Sequence, residues 1–280
     1  MARIRVGLAA TRPLACLAAL VLVCSSYSLS SKATSSPDSP DRSSTDGIAW
    51  LVRQADKSTV KELIPAEYRK RYQKWKNEYL ATAVGRTHWE QYALNHSFNL
   101  TITIAKQEGH GARVEGFHWD EGGRLIAATI ILGNKLDSGY PSSINYPITC
   151  SLSPGNLPAE VKGKILAATK LSHEFGHLNQ VMSIGRLYQL QNVLMVEYNR
   201  IFDTNGFNIQ DPQLTELVQR MGGTPVSISQ DREHWAEMGA IEYLQERLPQ
   251  ISKRSRLPSP IKQAIDAYYS TYPERVQTAN

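Results

Sequence analysis

The pattern of hydrophobic and polar residues divides the chain into helical and extended stretches. Over residues 48–96, apolar and aromatic residues recur at helical spacing among charged residues, which predicts a helical N-terminal part with its aromatic residues in the core. Four later segments follow the same spacing: 156–182, 186–202, 229–248 and 260–269. Gly, Asn and Pro residues in the stretch 204–226 predict an irregular connection between two of these helices.

Between the first two helical regions the pattern changes to a period of two. Three segments read as half-buried strands: 98–104, 113–119 and 125–132. The run Asp-Glu-Gly-Gly at 120–123 predicts a tight turn, and a further strand is predicted at 144–152. The order of the elements predicts an α+β fold, in which a small antiparallel sheet precedes the helix at 156–182 and additional helices lie at both ends.

The predicted helix at 156–182 carries the candidate chemistry. Asn156 is a suitable N-cap, Pro158 suits the first turn, and the helix contains the motif HEFGH at 173–177. Residues four apart in a helix share a face about 6 Å apart, so both histidines can reach one cation while Glu174 stands beside the first of them. This arrangement is typical of zinc hydrolases, in which the carboxylate is the general base on a zinc-bound water.

The N-terminus is typical of an export signal. Three arginines precede an apolar run at 14–23, and small polar residues follow it. Residues 1–30 are therefore predicted to be a signal peptide, 31–47 a flexible Ser/Pro-rich linker, and 48–280 the folded domain. The protein is expected to be secreted or periplasmic, and an uncleaved signal or a lipid-modified Cys24 would instead tether it to a membrane.

Composition and charge exclude several classes of protein. With 280 residues, 41% of them hydrophobic and 20% charged, the chain can bury a substantial core and is not disordered overall. Without residues 1–30, 28 basic residues face 26 acidic ones, and the net charge falls from +5 to +2. The most basic segment, 61–76, is interleaved with Glu62 and Glu67, so no nucleic-acid partner is expected. Cys150 is the only cysteine beyond the signal, which excludes an intrachain disulfide.

The class of zinc site depends on a third ligand, because catalytic zinc usually takes three protein groups in addition to water. His173 and His177 supply two of them. A metzincin would have Gly and His at the positions that Gln180 and Ser183 occupy, so that class is excluded. Two glutamates on later predicted helices remain as candidates: Glu197 and Glu233.

The motifs HEFGH at 173–177 and EHWAE at 233–237 together resemble the HExxH…ExxAD signature of gluzincin peptidases of the heat-shock and prenyl-protein-processing type. The resemblance implies a zincin-like fold for the folded domain and Glu233 as the third zinc ligand. It also implies that Glu237 orients His173 or His177 through the free N–H of the ring. The likeness covers roughly residues 165–245. It departs from the family in the Glu at 237, where the signature has Asp, and in the absence of the family's membrane spans.

Several other side chains are candidates for the site or its surroundings. Four residues could donate a hydrogen bond to a developing oxyanion: His234, Tyr198, Arg200 and Tyr243. Gly176, Ala236 and Ala240 would allow the two motif helices to approach closely. A sheet edge at 124–133 could hold an extended peptide by backbone pairing.

These residues predict an exported zinc metallopeptidase that holds one Zn²⁺ ion and hydrolyses a peptide or protein substrate, with Glu174 as the general base. A second interpretation belongs to another class of protein, namely a catalytically silent zincin-fold module that binds or scaffolds outside the cytoplasm. A third is an immature enzyme whose N-terminal helices block the cleft until they are trimmed.

Overall fold

The structure is a computed structural model that describes residues 59–138 and 160–251. Over these residues the protein is α+β, with one four-stranded sheet and five α-helices. The strands are β1 (Lys61–Leu63), β2 (Asn99–Ala105), β3 (Ala112–Trp119) and β4 (Leu125–Gly133). The helices are α1 (Arg69–Tyr79), α2 (Ala83–Ala93), α3 (Lys164–Thr204), α4 (Pro212–Met221) and α5 (Pro225–Ile251).

The described residues divide into two compact units. The main unit comprises residues 59–138, 160–190 and 232–251, and contains the sheet, α1, α2, the first part of α3 and most of α5. The helical unit comprises residues 191–231. The HEFGH and EHWAE motifs both belong to the main unit.

The sheet of the main unit has the order β1-β2-β4-β3 and is mixed. β3 and β4 form an antiparallel hairpin, and the predicted turn at 120–123 is confirmed by the hydrogen bond from Gly123 N to Asp120 O at 2.9 Å. β4 then returns between β3 and β2, so that it runs parallel to β2, and β2 runs parallel to β1. The predicted antiparallel sheet is therefore correct for the hairpin and wrong for the other two pairs.

β1 lies in a stretch for which the hydrophobic pattern predicts helix, and that prediction is wrong at these residues. The strand pairs with Thr101–Thr103 of β2, and the Thr103 hydroxyl donates to Leu63 O at 2.9 Å. A three-residue edge strand carries no periodic signal of its own. Its conformation is set by a partner strand that lies about 40 residues away in the sequence.

Aromatic side chains form the centre of the main unit's core, as the sequence predicts for those in the described residues. The buried members are Tyr72, Trp75, Tyr79, Trp89, Tyr92, Phe98, Phe175 and Tyr243. Phe175, inside the HEFGH motif, stacks on Tyr79 at 5.4 Å between ring centroids and contacts Tyr92 at 5.7 Å. Each histidine is two positions from Phe175, and each position turns about 100° around the helix. The two histidines therefore lie on the side of α3 opposite the buried Phe175 ring.

Helix α3 differs from the prediction at both ends. It begins at Lys164, and residues 160–163 are not helical because Gly163 adopts a left-handed conformation with φ of 58°. The predicted N-cap Asn156 lies outside the described residues. Beyond residue 182 the helix continues to Thr204, with one break at Gly185, where φ is 19° and ψ is −92°. The predicted helix at 186–202 is therefore the second part of α3.

The helical unit has its own small core. Its buried apolar residues are Leu194, Ile201, Leu214, Leu217, Met221 and Ile228. Helix α4 lies in the stretch 204–226, for which an irregular connection was predicted, so that prediction is wrong over these residues. The start and stop signals of α4 are present in the sequence: Asp211 caps its N-terminus by accepting from Gln213 N, Pro212 follows, and Gly222 ends it in a left-handed conformation.

A buried carboxylate connects three helices of the main unit. The side chain of Glu78 on α1 is 1% exposed and contacts Lys164 Nζ at 2.6 Å and Arg247 Nε at 2.5 Å. Tyr243 on α5 donates its hydroxyl hydrogen to the same carboxylate at 3.3 Å. Burial opposes ionisation of Glu78, and the two cations outweigh it, so the pKa of this carboxyl lies below its ordinary value of 4.5.

Replacing Glu78 with Gln should lower the free energy of unfolding at neutral pH by about 3 kcal/mol, because two cations would lose their buried partner. A lowered pKa means that the contribution is present above the ordinary pKa and is lost as the pH falls through the folded-state value. Urea unfolding should therefore show a large difference between the two proteins near neutral pH and a smaller one at an acidic pH below the ordinary carboxyl pKa value of 4.5. The exposed Glu67→Gln serves as the control, and an equal difference at both pH values would contradict this account.

Several predictions lie outside the described residues. They are the signal peptide at 1–30, the linker at 31–47, Cys24, the strand at 144–152 and the helix at 260–269. Within the described residues, none of the helices combines the length and the apolar composition that a membrane span requires.

Candidate metal centre

The two histidines of the HEFGH motif lie side by side on α3. The ring centroids of His173 and His177 are 4.7 Å apart and the ring planes are nearly perpendicular, at 85°. Both side chains are largely shielded, with 18% and 20% of their surface exposed. The local spacing of the helix therefore produces the paired imidazoles that the sequence predicts.

Glu233 of α5 reaches both rings. Its carboxylate oxygens lie 3.3 Å from His173 Nε2 and 3.5 Å from His177 Nε2, and the three ligand atoms all lie within 4.8 Å of one another. Ligands about 2.0–2.1 Å from one tetrahedral zinc ion are separated by roughly 3.3–3.4 Å. The two contacts of Glu233 are close to this separation, and two imidazoles with one carboxylate are donors that suit a divalent cation such as zinc. The Glu233 side chain is 59% exposed, so the centre opens to solvent on that side.

A close crossing of α3 and α5 brings Glu233 to the histidines. A Cβ atom on Gly176 would lie 2.6 Å from Ala236 O, and one on Gly239 would lie 2.5 Å from Ser172 O. The Ser172 hydroxyl donates to Gly239 O at 2.7 Å across the same contact. The prediction that Gly176 and Ala236 allow a close approach of the two helices is confirmed.

The charges of the three residues depend strongly on one another. Burial lowers the pKa of His173, but the hydrogen bond to Glu233 and the neighbouring carboxylates outweigh it and leave that pKa raised. Burial and the charge of His173 lower the pKa of His177 to about 3. Burial opposes ionisation of Glu233, and the two imidazoles overcome it and lower its pKa to about 2. The ionised Glu233 and the neighbouring carboxylates thus favour a positive charge beside the two rings, a position that a bound cation could take.

Glu174 lies beside this group and is almost completely buried, at 4% exposure. Burial raises its pKa to about 7, although the charge of His173 acts in the opposite direction. Among the described residues, its Oε2 atom has no hydrogen-bond partner. A buried carboxylate oxygen with no protein partner is suited to accept a hydrogen bond from a water molecule or a substrate.

Two further residues of the EHWAE motif lie near the centre. Glu237 is buried, and its charge is one of the causes that raise the pKa of His173. His234 is partly buried, and its charge contributes to the low pKa of Glu233. Both residues therefore act electrostatically on the group formed by His173, His177 and Glu233.

The remaining sequence candidates are engaged elsewhere. Tyr243 is fully buried in the main unit and its hydroxyl donates to Glu78, which makes it part of the core rather than an oxyanion donor. Glu197, Tyr198 and Arg200 belong to the helical unit. There Glu197 accepts two hydrogen bonds from Arg200, at 2.8 and 2.6 Å, so its carboxylate already has a cationic partner three residues away.

The edge strands of the sheet are β1 and β3, and the predicted edge at 124–133 is wrong, because β4 is paired on both sides. Hydrogen bonds join both ends of β3 to α3. Before the strand, Lys170 Nζ donates to His110 O at 2.7 Å, and after it Arg186 Nη2 donates to Gly122 O at 2.7 Å. These contacts hold the edge strand alongside the part of α3 that carries the HEFGH motif.

Two further residues of the main unit, Arg232 and Tyr188, were not predicted from the sequence to take part in the site. Arg232 immediately precedes Glu233, and its guanidinium lies over the ring of Tyr188, 3.8 Å from the ring centroid. A single Arg or Tyr on an amphipathic helix gives no signal in a sequence, because most such residues are solvated surface groups. The one available hint is the position of Arg232 beside a candidate ligand.

Comparisons of the chain with protein-family models, curated proteins and solved structures found no match. The similarity to gluzincin peptidases therefore consists of the two motifs at 173–177 and 233–237. The chemistry of His173, His177 and Glu233, which these motifs bring together, is therefore the basis for proposing an activity.

Proposed function

We propose that this protein is an exported zinc metallopeptidase of the gluzincin type, with His173, His177 and Glu233 as ligands of one zinc ion. The observation that carries the proposal is the convergence of two imidazole nitrogens and one carboxylate, whose ligand atoms all lie within 4.8 Å of one another. Export is proposed from the sequence of residues 1–30. The zincin-like fold is part of the same proposal, since an α+β architecture with a four-stranded sheet is compatible with it.

Each residue has a definite task in peptide-bond hydrolysis. When bound, zinc would polarise the scissile carbonyl and lower the pKa of water toward about 7. Glu174 accepts the proton of the attacking water and passes it to the leaving amine, because its Oε2 is available beside the ligand pair. Glu237 positions a liganding histidine through the free N–H of the ring. His234 is the remaining candidate in the main unit for stabilising the developing oxyanion.

The proposed substrate is an extended peptide. β3 leaves one side of its backbone unpaired within the described sheet, and its ends are joined to α3 on either side of the HEFGH motif. A peptide added along β3 would satisfy those backbone groups. Such pairing depends little on side chains, so the backbone contributes affinity and separate contacts must supply sequence preference.

Metal removal tests the proposal directly. The purified protein should contain one zinc ion per chain and should cleave an unfolded protein such as reduced casein. A chelator should abolish cleavage, and added zinc should restore it, because the centre opens to solvent on the side of Glu233. Zinc content is measured by mass spectrometry of the metal and cleavage by gel analysis. A zinc-loaded protein that cleaves no peptide library would support the silent binding module, and a protein without metal would contradict both.

A further inference from the structure

A β-bulge in the edge strand redirects two aromatic side chains toward α3. Ala112 and Val114 of β3 pack on the main core, and strict alternation would place Gly116 on the same side next. Gly116 instead has φ of 65°, and the register shifts between Glu115 and His118. Because of that shift, Phe117 and Trp119 also pack on the main core.

These side chains form an aromatic wall with Tyr188 of α3. The ring centroid of Tyr188 is 5.5 Å from that of Phe117 and 6.4 Å from that of Trp119. All three residues are only partly buried, so the wall retains exposed surface. The Trp119 Nε1 atom, which is shielded from solvent, has no hydrogen-bond partner among the described residues.

Arg232 of α5 covers one ring of this wall. Its guanidinium carbon lies 3.8 Å from the Tyr188 ring centroid, a distance typical of stacking on an aromatic face. A stacked guanidinium directs its N–H groups outward in the plane of the group, where they match the two oxygens of a carboxylate. Arg232 also directly precedes Glu233, so it lies in the same turn of α5 as the proposed ligand.

The environment of Arg232 strengthens its interaction with anions. The guanidinium is partly buried, and arginine is always protonated in proteins. A charge that is partly withdrawn from water attracts an opposite charge more strongly than one at an open surface. A substrate anion that reaches this point would therefore contribute more to binding than a surface ion pair would.

We propose that Arg232 is a specificity-determining residue that binds a carboxylate of a peptide lying along β3. This inference rests on the proposed function, because it names the substrate class of the same site. The preferred substrates would carry either an acidic side chain or a free C-terminal carboxylate close to the scissile bond. The aromatic wall positions the guanidinium, and the unpaired indole N–H of Trp119 is a second donor in the same cluster.

The test uses binding rather than turnover. The full chain with Glu174→Gln, loaded with zinc, is incubated with a random peptide library prepared once as C-terminal amides and once as free acids. The retained peptides are sequenced and their Kd values measured by fluorescence anisotropy. We expect retained amides to contain Asp or Glu at one position, or free acids to be retained in preference to amides, with affinities about 10- to 100-fold above those of matched neutral peptides. Retained amides with Asp or Glu would identify an acidic side chain as the ligand. A preference for free acids would identify the C-terminal carboxylate as the ligand.

Variants of Arg232 decide whether this residue is responsible. In the Glu174→Gln background, Arg232→Gln should abolish the preference for carboxylates, and Arg232→Lys should retain part of it, since the charge remains but the planar fork is lost. Arg124→Gln removes a charge from an exposed arginine of the same unit and should change nothing. Zinc content and thermal unfolding establish that each variant is folded.

The results separate this inference from the proposed function. Carboxylate preference that survives Arg232→Gln, or retained peptides without such a preference, would overturn the assignment of Arg232. Absence of any retained peptide would overturn it as well. If the wild-type protein cleaves none of the retained peptides while the preference depends on Arg232, the peptidase proposal fails and the carboxylate site stands.

Discussion

Replacing Glu174 with Gln should reduce kcat for peptide cleavage by about 10²- to 10⁴-fold while leaving one zinc ion per chain. The amide has nearly the same size as the carboxylate but cannot accept the proton of the attacking water. The metal should remain, because the proposed ligands are His173, His177 and Glu233, and the side chain of Glu174 is not among them. Steady-state kinetics on a cleaved peptide, together with zinc analysis of the same preparation, measure both quantities.

Two control variants make the Glu174 result specific. Glu233→Gln should lower both zinc affinity and activity, since it removes the carboxylate that approaches both imidazoles. Glu216→Gln, at an exposed position of the helical unit, should change neither quantity by a large factor. The proposed role of Glu174 would be wrong if its Gln variant kept near-normal kcat. Loss of zinc from that variant would instead assign Glu174 to metal binding.

Replacing Gly176 with Ala should destabilise the protein and weaken zinc binding at the same time. The new Cβ would lie 2.6 Å from Ala236 O and 2.7 Å from Ala236 Cα, which are backbone atoms that can move only with the whole of α5. We expect the free energy of unfolding to fall by about 1–3 kcal/mol, although Ala favours helix over Gly by about 1 kcal/mol. Any shift of α5 also moves Glu233, so zinc affinity should fall by about 10- to 100-fold.

Thermal unfolding and zinc titration against a competing chelator measure the two effects of Gly176→Ala. Gly239→Ala should behave in the same way, because its Cβ would lie 2.5 Å from Ser172 O on the other side of the crossing. Gly111→Ala is the matched control, since its nearest non-neighbouring atom would be at 3.4 Å. If Gly176→Ala were as stable as the wild type and bound zinc equally well, the close crossing of α3 and α5 would be refuted.

The sequence predicts the elements of the main unit better than their arrangement. The hairpin turn at 120–123 follows from residues that favour a tight turn, and the aromatic residues of α1 and α2 are buried as their spacing indicates. The parallel pairing of β2 with β4 is not predictable in this way, because it depends on contacts between residues about 28 positions apart, such as Asn99 and Ala127. Strand order likewise depends on which pairing buries the most apolar surface.

The missed elements divide into two kinds. Helix α4 has local signals in the sequence, an Asp-Pro start and a Gly-Gly end, and these caps are sufficient to predict a helix between them. β1 has none, since its three exposed residues become a strand by pairing with β2. The edge position of β3 and the stack of Arg232 on Tyr188 belong to the second kind, because both depend on how distant segments pack.

By itself, the sequence determined the candidate chemistry: two histidines one helical turn apart, a carboxylate beside them, and a glycine where α5 crosses. These features are local, because the geometry of an α-helix alone places His173 and His177 on one face. Only the tertiary structure decided between Glu233 and Glu197 as the carboxylate next to both rings. That choice required the helices that carry His173 and Glu233, two residues 60 positions apart, to pack at glycine contacts. Such packing is a property of the whole core rather than of either motif.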